Sequence, residues 1–145
     1  IFTIVAFLYA VALYGFNSFP LNSGWLPMLS ALFLLGIASQ AVGIFMIGVL
    51  PTFRLGLSSA CLFGMIAFSI VGFSFPVLGM DPTLQALSNL FPLRHYFLIY
   101  VDQALNGRPF FYSWAEYAWL MGFLVLPFLI GKNLKNALLY FKYIP

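Results

Sequence analysis

The side chains able to hold or move a proton are crowded into one part of this chain. All three carboxylates (Asp81, Asp102 and Glu116), the single histidine (His95) and two of the six basic residues (Arg94 and Arg108) fall between positions 81 and 116. The other basic residues are Arg54 and, near the C-terminus, Lys132, Lys135 and Lys142. His95 and Asp102 are seven positions apart, so an α-helix puts them on one face, but about 10.5 Å of helical rise separates their Cα atoms. That is too long for the carboxylate to orient the imidazole as a general base. Ser88 and Ser113 lie outside the helix that carries His95, and no Ser or Cys at helical spacing offers a nucleophile. No catalytic residue is assigned. A lone histidine without a Cys, a second His or a Glu close by makes a poor metal site. Without a glycine-rich phosphate loop, ATP binding by this chain is not expected either. Neither a metal nor a cofactor is assigned to it.

Two punctuated helices must carry this cluster. Asp81-Pro82 caps and starts a short one; Pro92 starts a second, about 22 Å long, which Gly107 ends. Arg94, His95, Asp102, Gln103 and Asn106 form the expected wet face of the second helix, with Phe97, Leu98, Val101 and Leu105 on the apolar side. The sharper reading makes Arg94, His95 and Asp102 part of a watery path or gate, because charges near lipid pair with one another or border water. Glu116, just beyond, is a further candidate for that path or gate; it is either solvated at the interface or paired with Arg94 or Arg108.

The frame around the cluster is apolar. The composition is 63% hydrophobic and 6% charged, with a mean hydropathy of +1.04, which places the chain among polytopic membrane proteins. Scattered basic residues fit membrane topology better than an acidic partner, and nucleic-acid binding has no support. Cys61 stands alone in an apolar run and offers no disulfide framework. The chain opens at Ile1 inside an apolar run and reads as a fragment.

Four spanning segments are expected: 1–16, taken as a truncated span, then 25–50, 57–75 and 114–131. An outer re-entrant segment covers 76–113, and an amphipathic basic tail covers 132–145, suited to acidic lipid headgroups or a cytoplasmic partner. Trp25 anchors one interface; Trp114, Tyr117 and Trp119 anchor another. Pro127 should kink the last span. Ser39 with Gly43, and Ala60 with Gly64, are small-residue pairs that predict close helix packing, while Gln40 beside them is a polar group at mid-membrane and a candidate for the path. Arg54 falls in a tight turn, 51–56. Alternating sides puts Arg54, Lys132, Lys135 and Lys142 together, against Arg94 and Arg108 on the other face. The positive-inside rule then puts the tail in the cytoplasm.

In its order of parts the chain resembles the C-terminal part of an ABC-2 type transporter permease, the membrane subunit of a bacterial ABC exporter. The resemblance covers essentially the whole chain. It is most specific at Phe91-Pro92-Leu93, Tyr96 and Ala104-Leu105-Asn106-Gly107, inside NLFPLRHYFLIYVDQALNG, and in the ending LKNALLYFKYIP. The resemblance implies an all-α, six-span bundle, the present segments being spans three to six, with re-entrant outer helices between the last two. It also implies a dimer of permeases in the bacterial inner membrane, driven by separate cytoplasmic ATP-binding subunits, with Arg54 left as a minor contact to them. The substrate is not legible. Two rival readings are an intramembrane transferase or hydrolase using His95 with Asp102, and a non-catalytic membrane assembly subunit.

Overall fold

The computed structural model describes residues 2–16, 22, 24–50, 52–72, 76 and 79–131. Their regular structure is entirely helical. Helix α1 (Phe2–Val11) widens into a π-type turn at Ala12–Phe16. Helices α2 (Trp25–Val49), α3 (Phe53–Ile70), α4 (Pro82–Ser88) and α5 (Pro92–Ile99) follow, and π turns extend α5 over Tyr100–Leu105. A 3-10 turn at Phe110–Ser113 leads into α6 (Trp114–Phe123), with further helix at 126–131.

Among the described residues three helices are long and apolar enough to cross a membrane: Trp25–Val49, Phe53–Ile70 and Phe110–Gly131. The helix Ile4–Phe16 is apolar but shorter than a crossing, at about 20 Å. The expected span 1–16 is therefore not of crossing length in the described part. The exterior is inside-out for a water-soluble bundle: Leu26 (82% exposed), Phe33, Ile44, Met65 and Phe128 (83%) point outward. Helices apolar on every side suit hydrocarbon on their outer faces. The tail 132–145, and with it three of the lysines that set the expected orientation, lies outside the described residues.

Small residues bring the bundle together, as packing in lipid requires, since apolar burial alone gives no drive there. Ala31 and Ala38 of α2, both fully buried, admit Ile99, Tyr117 and Leu120 from α5 and α6 into one core. Ala67 of α3 and Val71, its C-cap, admit Phe91 into a second. Gly48 lets the end of α2 meet Ile130; a Cβ there would sit 2.4 Å from the Ile130 Cγ2.

Three boundaries differ from the sequence expectation. Helix α3 starts at Phe53, because the Thr52 side chain accepts a hydrogen bond from the Leu55 amide and caps it, so Arg54 sits in a first helical turn and not in the 51–56 turn. It ends at Ile70, not at 75, where Gly72 adopts φ 117 and stops the helix. The last span does break near Pro127, but one turn earlier: Leu124 and Val125 bond three residues back, to Met121 and Gly122. The proline ring would clash with the carbonyl four residues before it, at Phe123.

The small-residue pairs also behave differently. Helices α2 and α3 touch closely at their shared turn, where a Cβ on Gly56 would lie 3.0 Å from the Ile47 Cα. Gly43 and Gly64 have open space around them. Instead of packing together, they line a cavity of ≈ 220 Å³ with Ser39, Ala60 and, from α5, Pro92 and Leu93.

Candidate functional site

Helix α5 is held by polar groups as well as by its place in the two apolar cores. Asp81 caps α4, accepting hydrogen bonds from the Thr83 amide and hydroxyl; the hydroxyl and then the amide hold its carboxyl below the usual range. The chain turns at Asn89-Leu90, and Pro92 starts α5 at a position where a missing N–H is harmless. That turn delivers a backbone carbonyl, Asn89 O, to the side of His95. His95 is 2% exposed. Its Nε2 lies 3.0 Å from the Asn89 carbonyl and its Nδ1 2.6 Å from Glu116 Oε2 of α6. Trp119 stacks on the imidazole, ring centres 5.6 Å apart and planes within 13°, and Phe123 closes another side.

The proton inventory of this pair follows from its partners. A carbonyl only accepts, so Nε2 carries hydrogen and donates to Asn89. A second proton must then lie between Nδ1 and Glu116, because two lone pairs at 2.6 Å would repel. Imidazolium with carboxylate, or imidazole with carboxylic acid, both satisfy the geometry, and both leave the pair neutral. A neutral pair is the form a low-dielectric site tolerates.

Arg94 turns the other way. Its Nη1 donates to the Val71 carbonyl at 3.0 Å, capping the C-terminal end of α3, where the helix dipole favours a cation. Burial lowers its pKa from the ordinary arginine value, and the nearby Glu116 charge partly counters that. One end of α5 is thereby tied to α3 by Arg94 and to α6 by His95.

Further along, Gln103 is fully buried, with its Oε1 3.3 Å from the Tyr117 hydroxyl, which also lies 3.0 Å from the Pro27 carbonyl. One hydroxyl proton cannot serve two acceptors. Turning the Gln103 amide over lets its Nε2 donate to Tyr117 while Tyr117 donates to Pro27.

The site thus differs from the wet face expected on this helix. His95 and Gln103 are buried, and Arg94 is half-buried. Glu116 pairs with His95, not with Arg94 or Arg108. Asp102 sits apart, 3.3 Å from Arg108 at an exposed edge. The His95–Asp102 juxtaposition on which the enzyme reading depended is not formed. Gln40 is exposed on α2 and Arg54 is exposed on α3, both outside this cluster. Tyr117 and Gln103 were missed as core polar groups: an aromatic near a span end reads as an interface anchor, and no sequence signal marks its hydroxyl as aimed inward.

Known protein families, curated proteins and solved structures give no match to the chain.

Proposed function

We propose that the chain is the C-terminal part of the membrane-spanning permease of an ATP-driven exporter of ABC-2 type. A separate cytoplasmic subunit would hydrolyse ATP, and a second permease copy would complete the substrate path. The observation that carries this reading is the pair of short helices, α4 and α5, between α3 and the crossing-length stretch Phe110–Gly131 that contains α6, with α5 packed against α2 and α6. Short helices at membrane depth are tolerated where protein buries them or water borders them, and here Arg94, His95 and Glu116 tie the second one in place. A transporter uses such an element to close or shape the outer end of a path. In this reading the four-of-six span layout and the re-entrant placement of α4 and α5 follow the family resemblance, the bacterial inner membrane is the location, and the C-terminus is cytoplasmic.

The test is to purify the full-length protein with a candidate ABC-type ATPase subunit of the same cell and measure turnover in proteoliposomes. Stable association, and a change in ATPase turnover on permease binding that Glu116→Ala abolishes, are expected. Failure to associate together with unchanged turnover would reject the exporter reading.

A further inference from the structure

A second feature lies away from the His95 cluster. Between α1, α2 and the far end of α5 is a half-open cavity of ≈ 320 Å³, at the lower end of the about 300–1,000 Å³ range of small-molecule sites. Five aromatic rings line it: Tyr9 and Tyr14 from the first helix and its π turn, Trp25 from the start of α2, and Tyr96 and Tyr100 from α5 and its π extension. Tyr14 and Trp25 meet edge to face, ring centres 6.0 Å apart. Tyr14, Tyr96 and Tyr100 face the same cavity from two elements. Apart from the tyrosine hydroxyls, the lining has no ionisable side chain. Burial pushes the Tyr96 phenol up to about 12, so it adds no anion.

The rings narrow the chemistry of the occupant. A hydrocarbon chain gains nothing here that the bilayer does not already offer, since lipid tails are as apolar as the walls. What the bilayer interior lacks is a set of negative π faces. Those faces attract a weakly hydrated organic cation, the interaction by which aromatic cages recognise quaternary ammonium groups. Helix ends do not decide the matter: the start of α2 at Trp25 opposes a cation, and the carbonyl end of Ala12–Phe16 favours one, by comparable amounts.

We propose that this cavity binds an amphiphilic organic cation of quaternary ammonium type, held among the aromatic rings of Tyr9, Tyr14, Trp25, Tyr96 and Tyr100. The site stands independently of the exporter reading, because its test measures binding without an ATPase.

Phenyltrimethylammonium and its uncharged isostere tert-butylbenzene have the same shape and differ in charge. Saturation-transfer NMR on the purified full-length protein in detergent should show saturable binding of the cation, at least tenfold tighter than the isostere. Tyr100→Phe, which keeps the ring, should leave that affinity unchanged, and Tyr100→Leu should weaken it severalfold. Ala10→Phe fills the cavity from α1 and should abolish binding without altering the helical circular dichroism. Equal binding of the isostere would overturn the proposal in favour of a merely apolar cleft. Loss of affinity in Tyr100→Phe would overturn it in favour of hydroxyl recognition. Absence of saturable binding, or binding that survives Ala10→Phe, would also overturn it.

Discussion

His95 spends both ring nitrogens inside the protein, one on the Asn89 carbonyl and one on Glu116. A histidine so engaged works as a strut between α5 and α6. It has no free nitrogen to offer a substrate. His95→Ala removes both bonds and leaves Glu116, whose side chain is 24% exposed, facing an apolar gap. The expected loss is about 1–3 kcal/mol, the usual cost of stranding a partly buried polar partner. Glu116→Gln should cost less, because the new amide can donate to Nδ1 while Nε2 still donates to Asn89. Thermal unfolding in detergent, followed through the fluorescence of Trp119 on the imidazole face, compares the two variants. Equal losses would mean that the ionic form, and not the hydrogen bond alone, holds the helices.

The elements are organised by where the backbone departs from ideal helix. Buried positions on the α5 side include 91, 95, 99 and 103, every fourth residue, with 92 and 104 beside them. An unbroken α-helix drifts off such a spacing, and two turns after His95 it would present Asp102, not Gln103. The π turns at Tyr100–Leu105 take up an extra residue, with Asn106 bonding five back to Val101. Gln103 therefore enters the core and Asp102 is turned out to Arg108. Past this point Asn22 reaches over to the Ala104 and Leu105 carbonyls, 3.2 and 3.0 Å away, and Gly107 turns the chain with φ 63. At the other end of the bundle, Gly48→Ala would push a methyl into Ile130. Because Ile130 is β-branched and 5% exposed, it yields poorly. A loss of about 1–3 kcal/mol is expected, and an Ile130→Ala change in the same chain should recover part of it. A neutral Gly48→Ala would show that 126–131 does not pack on α2.

For the whole molecule, the sidedness of its helices is the property to test. Arg54 and Gly72 stand at opposite ends of α3, which at about 27 Å is close to the thickness of a hydrocarbon core. A cysteine at 54 and one at 108, each in a Cys61→Ala background, should be labelled by a membrane-impermeant maleimide from opposite sides. If Arg108 and Arg54 positions were reached from the same side, the layout in which α4 and α5 turn back would fail. Residues 79–113 would then have to be threaded through the membrane.

Composition and the spacing of prolines and glycines determined the class of this protein: an apolar helical bundle, a short-helix pair opened by Asp81-Pro82 and Pro92, a stop at Gly107 and a break near Pro127. These are local steric and solvation effects, and each acts within a few residues of its cause. Pairing was settled by tertiary structure. His95 found Glu116 across the bundle, Arg94 found the end of α3, and Gly43 and Gly64 came to line a cavity instead of packing together. A π turn shifts every later side chain around the helix by most of a residue, and nothing in a regular period announces it. Which face of α5 was buried could therefore be decided only once the neighbouring helices were in place.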